Sequence, residues 1–93
     1  MLKVKRKKFH KVKSGQTVAQ ISEFYKIPAR LLVKENGLSA EPFEGQILYL
    51  PPTQGNYYTA QAGDSKDLLC GSKENYQRKN GTDILYPEMK VWI

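Results

Sequence analysis

The feature that most restricts what this chain can become is a turn that occurs twice. It appears as Ser14-Gly15-Gln16-Thr17-Val18 and again, 48 positions later, around Gly63-Asp64-Ser65. Before the first copy, Phe9-His10-Lys11-Val12-Lys13 alternates bulky and polar residues, the period-two pattern of a half-buried strand. After it, Val18, Ile21 and Tyr25 recur three and four residues apart, along one face of a helix. The Thr17 hydroxyl suits a helix N-cap, where it takes a backbone amide that the first turn leaves unpaired, and Gly15 supplies the positive φ such a reversal calls for. Tyr58 to Lys66 repeats the arrangement, with Ser65 in the place of Thr17. One such turn is common; two in register predict an internal repeat.

The rest of the chain fits that frame. Helix one should run from about Thr17 to Tyr25 or Lys26, stopped by Ile27-Pro28 because proline disfavours helical geometry in the residue before it. A second helix is expected from Pro28 or Ala29 to Glu35, with Leu31 and Leu32 facing the core and Asn36-Gly37 closing it. A loop from Leu38 to Gly45 leads to a strand at 46–50, and the prolines of Pro51-Pro52-Thr53-Gln54-Gly55-Asn56 mark a linker too short to let the halves move far apart. In the second pass a strand begins at Tyr57, and Leu68 and Leu69 supply the apolar face of a helix that Cys70-Gly71-Ser72 cuts about one turn short. The next helix starts at Ser72, carries Tyr76 inward and ends at Asn80-Gly81. The last strand is Met89 to Ile93, with either Met89, Val91 and Ile93 or Lys90 and Trp92 sharing a face. Asn36 and Asn80 read as helix terminators that hydrogen-bond the loops after them.

At 93 residues the chain buries only about 60 to 70 per cent of its unfolded surface, so two mini-domains would depend on dense local packing and on each other. A single cysteine, Cys70, excludes an intramolecular disulfide and reads as a small buried residue in preference to a reactive thiol. The net charge of +6 comes from the start of the chain, where residues 1 to 13 hold seven Lys or Arg and no acid. That run is either solvated, as a flexible basic arm or an added edge strand whose lysines block further pairing, or a contact for anionic polymers through Lys3, Lys5, Arg6, Lys7 and Lys8. No apolar stretch follows it as a secretory signal would require, and none is long enough to span a membrane. The reading is therefore of a protein made in the cytoplasm that reaches a spore or cell wall, if it does, by another route.

Catalytic chemistry has little to stand on. His10 is the only histidine and has no clustered carboxylate, so no metal or cofactor is expected. Glu41 and Glu44 form a loop pair, but so small a unit offers no enclosed cleft to raise one carboxyl pKa, and both are read as solvated. The chain is read as non-enzymatic.

The first unit resembles a lysin motif (LysM) domain. The likeness rests on His10-Lys11-Val12-Lys13-Ser14-Gly15-Gln16-Thr17, Ile21, Tyr25, Leu31 or Leu32, Asn36 and Gly45-Gln46-Ile47-Leu48-Tyr49-Leu50-Pro51. Gln16 stands where that family favours Asp. The second unit is a degenerate copy, carried by Tyr58, Gly63-Asp64-Ser65, Leu69, Asn80 and Pro87 to Ile93, with Glu88 where the family favours glycine. The resemblance implies an α+β fold of two βααβ units, each a two-stranded antiparallel sheet with two helices on one side. The divisions are a basic arm at 1–8, a first unit at 9–51, a linker at 52–56 and a second unit at 57–93.

The resemblance also implies a bacterial binding protein for glycans containing N-acetylglucosamine, of peptidoglycan or chitin type. The groove would lie between two loops: Gly15, Gln16, Thr17 and Val18 in the first, Gly37, Leu38, Ser39 and Ala40 in the second. In the other unit the counterparts are Gly63, Asp64, Ser65 and Lys66, with Gly81, Thr82, Asp83 and Ile84. A neutral acetamido sugar presents an amide and apolar ring faces, which backbone groups with one apolar contact, Val18 or Leu38, are suited to read. The first unit is the expected binder. Two other readings stand beside this one: an assembly protein of a spore or envelope layer that uses the fold for protein contacts, and nucleic-acid binding through the basic arm and tyrosines.

Overall fold

A computed structural model describes residues 8–93; the basic run at 1–7 lies outside the described residues. The element order is β1 (Phe9–Lys11), α1 (Val18–Tyr25), α2 (Ala29–Asn36), β2 (Ile47–Tyr49), β3 (Tyr57–Thr59), α3 (Lys66–Cys70), α4 (Lys73–Asn80) and β4 (Lys90–Trp92). β1 pairs antiparallel with β2, with Phe9 opposite Tyr49, and β3 pairs antiparallel with β4, with Tyr57 opposite Trp92. The architecture is α+β, two βααβ units with one small sheet each.

The local signals explain the helix ends. Thr17 caps α1 through a capping box with Gln20, and Ser65 and Ser72 cap α3 and α4 through their side chains. Gly37, Gly71 and Gly81 end α2, α3 and α4 in the left-handed conformation that glycine adopts without penalty. α1 ends differently: Lys26 itself turns left-handed at φ 57, and the Ile27 amide reaches back to the Ser22 carbonyl. Pro28 then precedes α2 as its N-cap, with no side-chain hydrogen bond to offer. The strands are shorter than the pattern suggested. β1 and β2 each span three residues, because the chain swings away at Gly45 (φ +87) once Val12 has exchanged hydrogen bonds with Gln46 and Gly45.

Two cores result, and they are not independent. The first holds Val12, Ile21, Ile27, Leu31, Leu32, Leu48 and Leu50; the second holds Ala60, Tyr76, Met89 and Val91. Trp92 belongs to the second unit by chain position, yet it packs within the first core. Adjacent strand residues point to opposite faces, so Val91 goes to its own helices and Trp92 to the neighbouring unit, and both are fully buried. Both faces of β4 are inner faces, where the sequence pattern left a choice between them. The indole Nε1 donates to the Lys26 carbonyl at 2.9 Å, one of the acceptors that the end of α1 leaves over. Beside it the Tyr57 hydroxyl donates to Glu23 at 3.0 Å, and Glu23 also pairs with Lys26 at 3.2 Å. Lys26 and Tyr57 hold the Glu23 carboxyl below its usual range, while burial and the neighbouring carboxylate push the Tyr57 phenol up. On the α2 side, a Cβ at Gly81 would come within 2.9 Å of Leu31 Cδ1.

α3 departs from expectation. Leu68 is 80% exposed, and no residue of this helix is fully buried. With five residues α3 makes little more than one turn, and at about 100° per residue Leu68 and Leu69 do not both face inward. Cys70 takes the inner position, packed against the second core with Sγ 3.6 Å from the Trp92 carbonyl oxygen.

Trp92→Ala should lower stability by about 3 to 5 kcal/mol, the usual range for truncating a buried aromatic, out of a total of about 5 to 15. Urea denaturation followed by circular dichroism checks this. Both units should lose stability together in one transition, because the deleted ring is shared.

Candidate functional site

The loop between β1 and α1 is built around Gln16. Its Oε1 accepts the Lys13 amide at 2.9 Å and His10 Nε2 at 2.8 Å, and its own amide donates to the Lys13 carbonyl. With Nε2–H donating, Nδ1 is the acceptor, and the Tyr25 hydroxyl donates to it at 2.8 Å. The second unit does the same work with other groups. Asp64 Oδ2 accepts the Gln61 amide and the Tyr58 hydroxyl, each at 2.7 Å, and Asp64 holds the Tyr58 phenol above its usual pKa. Gln16 therefore replaces Asp together with a change of partner, His10 for Tyr58. In both copies the glycine just before, Gly15 at φ +79 and Gly63 at φ +93, turns the chain.

Thr17 Oγ1 accepts the Gln20 amide at 3.2 Å, and Gln20 Oε1 accepts the Thr17 amide at 3.0 Å. Val18 is half-buried against the first core, and its amide donates to Glu41 Oε1 at 2.7 Å. That bond was not legible in the sequence. Glu41 is exposed, as its reading as solvated implied, but its carboxylate is engaged from 23 residues away. It supplies the anion that the first turn of α1 lacks.

The second loop of this unit starts at Gly37, whose amide closes α2. Leu38 packs against the first core and donates its amide to the Val33 carbonyl at 3.1 Å. Ser39 and Ala40 are exposed. Glu41 directly follows 37–40, so its bond to the Val18 amide ties the end of that loop to 15–18.

Asn36 and Asn80 serve a different role from the one expected. The Asn36 side chain accepts the Tyr49 amide at 2.7 Å and donates to the Tyr49 and Leu32 carbonyls, each at 2.9 Å. Asn80 treats Trp92 identically, accepting its amide at 2.7 Å and donating to its carbonyl at 2.9 Å, while also reaching Tyr76. The asparagines join each second helix to the final strand, not to the following loop; the glycines after them end the helices. Carboxamides suit this because one side chain both accepts and donates.

The second unit's loops are placed differently. Gly63, Asp64, Ser65 and Lys66 repeat the first turn, but the Gly81-Thr82 corner faces α2 of the other unit across a cavity of about 300 Å³ lined by Ala29, Arg30, Val33 and Lys34. Ile84 and Asp83 are exposed. The Ile84 carbonyl accepts the buried Tyr76 hydroxyl at 2.6 Å, and the Ile84 amide donates to Thr82 Oγ1 at 3.1 Å. Among the described residues no group of three or more His, Cys, Asp or Glu is placed to hold a metal, and no helix is long and apolar enough to cross a membrane.

Burial pushes the Tyr76 phenol up to about 12. Only the neutral phenol donates to the Ile84 carbonyl, so this stability is whole below the unfolded tyrosine value of about 10 and is lost as pH rises from about 10 toward 12. Tyr76→Phe should cost about 1 kcal/mol at neutral pH and flatten that alkaline loss, as read by urea midpoints across the range.

A model of the LysM domain family matches residues 10–51. The N-acetylmuramoyl-L-alanine amidase sle1 of Staphylococcus aureus strain USA300 is 32% identical over 106 aligned positions, covering 90% of this chain and 32% of the relative; the strain COL protein matches equally. The chain thus spans about a third of the length of these curated relatives. Among solved structures, the spore cortex-lytic enzyme SleL of Bacillus megaterium QM B1551 shares 26% identity at a TM-score of 0.45, covering 91% of this chain and 22% of that one. SleL of Bacillus cereus gives 26% and 0.44, with the same coverage. Residues 10–51, the first βααβ unit, are thus matched to the LysM domain family.

Proposed function

We propose that this chain is a non-catalytic glycan-binding module that takes N-acetylglucosamine-containing polymers of peptidoglycan or chitin type. The family's general function is recognition of such glycans. The observation that supports the reading for this chain is that Glu41, directly after 37–40, takes the Val18 amide of 15–18, within the residues that match that family. The name of the relative, an N-acetylmuramoyl-L-alanine amidase, favours peptidoglycan over chitin.

In this reading Gly15, Gln16, Thr17 and Val18 form one wall and Gly37, Leu38, Ser39 and Ala40 the other. Gly63 to Lys66 and Gly81 to Ile84 form a second groove. Val18 and Leu38 offer the apolar contact for a sugar ring face. Open, shallow surfaces of this kind bind weakly one at a time. The shared Trp92 core holds the two grooves at one spacing, so a polymer gains by effective concentration only where its repeat fits that spacing. The basic residues at 3, 5, 6, 7 and 8 would add attraction to anionic wall polymers.

A second reading, an assembly role through protein contacts, draws on the outer face of the first sheet. There Phe9 and Ile47 are 57% and 56% exposed, and Phe9 meets Tyr49 edge-on.

Titration of the chain, ¹⁵N-labelled, with N-acetylglucosamine oligomers tests the main reading. Amide signals in 15–18 and 37–40 or in 63–66 and 81–84 should shift. Retention on insoluble peptidoglycan should survive moderate salt, whereas a steep loss with salt would point to polyanion contacts by the arm alone.

A further inference from the structure

The hydrogen bonds of the first loop leave a ligand little to use. The Gln16 amide donates to the Lys13 carbonyl, Thr17 to Gln20 Oε1, Gln20 to Thr17 Oγ1, and Val18 to Glu41 Oε1 at 2.7 Å. The first three of these partners lie within the loop and the helix it caps. The fourth does not: Glu41 comes from the opposite wall and crosses to the first turn of α1. A carboxylate on such an amide makes a charge-assisted bond and is further favoured by the helix dipole. The acetamido oxygen of a sugar is neutral and forms the weaker bond at the same donor.

Resting on the glycan reading above, we propose that Glu41 is an internal competitor seated in the first groove. It sets the groove's affinity for neutral acetamido sugars, which reach the Val18 amide only by displacing its carboxylate. The second unit has no counterpart. Five residues after Asn36 stands Glu41; five after Asn80 stands Leu85, which packs against the second core. The two grooves therefore differ in kind, and only the first carries its own occupant.

A purely structural role predicts the opposite sign. Were Glu41 only a tie holding the walls in place, its removal would loosen the groove and weaken binding. The full 93-residue chain and its Glu41→Ala and Glu41→Gln variants are titrated with the N-acetylglucosamine tetramer, following backbone amides. Glu41→Ala should tighten binding at the Val18 and Leu38 amides about fivefold, a modest factor because the bond is exposed to solvent. Glu41→Gln, neutral but still an acceptor, should fall between the two and serves also as the variant that keeps the tie. Responses near Thr82 should not change. Weaker or unaltered binding at Val18 in Glu41→Ala would overturn the proposal while leaving the glycan reading intact. No response in either unit of any of the three proteins would overturn the glycan reading itself, and this proposal with it.

Discussion

The contact on which the rest of this structure depends joins one indole to one carbonyl. α1 ends at Lys26 in a left-handed turn, and the Lys26 carbonyl is taken by Trp92 Nε1, from the other end of the chain. The ring that makes this bond also fills the first core, so a single side chain satisfies a polar group and closes an apolar space. Two units this small would each bury a thin core alone. Joined through Trp92, Tyr57 and Glu23, they become one packed body, and neither surface at the seam is free to act as a separate domain would.

A second constraint repeats in each unit. Asn36 and Asn80 clamp the backbone of Tyr49 and Trp92, fixing each second helix to the last strand of its sheet. In the second unit the clamped residue is the indole that crosses the seam. The register of Asn80 thereby sets where Trp92 enters the first core, and the intra-unit clamp and the inter-unit lock act through the same residue. On the first sheet the equivalent residue is Tyr49, paired edge-on with Phe9 and 38% exposed.

The proposed grooves inherit these constraints. Their walls start from positions the fold cannot move: the cap of α1, the glycine ends of α2 and α4, and strands clamped by asparagine. The turn residues that look most like ligand contacts, Gln16 and Asp64, each commit one side-chain oxygen to His10 or Tyr58 and to the backbone. Their job is to hold the loop in shape. On the proposed glycan reading, recognition falls to the groups left at the rim, above all Val18 and Leu38, with the Glu41 carboxylate on the Val18 amide.

Short-range chemistry was legible in the residues themselves. Thr17, Ser65 and Ser72 as caps, Gly37 and Gly81 as helix ends, the early stop at Gly71 and the inward Tyr76 all follow from local hydrogen-bonding needs and from periodicity, which act within a few residues. The βααβ order and its repetition followed from the same signals. What the sequence pattern left open were the partners of groups far apart in the chain. Strand alternation shows that Val91 and Trp92 face opposite ways, but only the packed structure decides that both ways lead inward. The same holds for Asn36, which has no sign of Tyr49 in its neighbourhood, for Glu41, which meets Val18 across 23 residues, and for Leu68, turned outward once α3 proved a single turn. Local order is written in propensities, whereas these pairings depend on which surfaces remain uncovered when two small units meet.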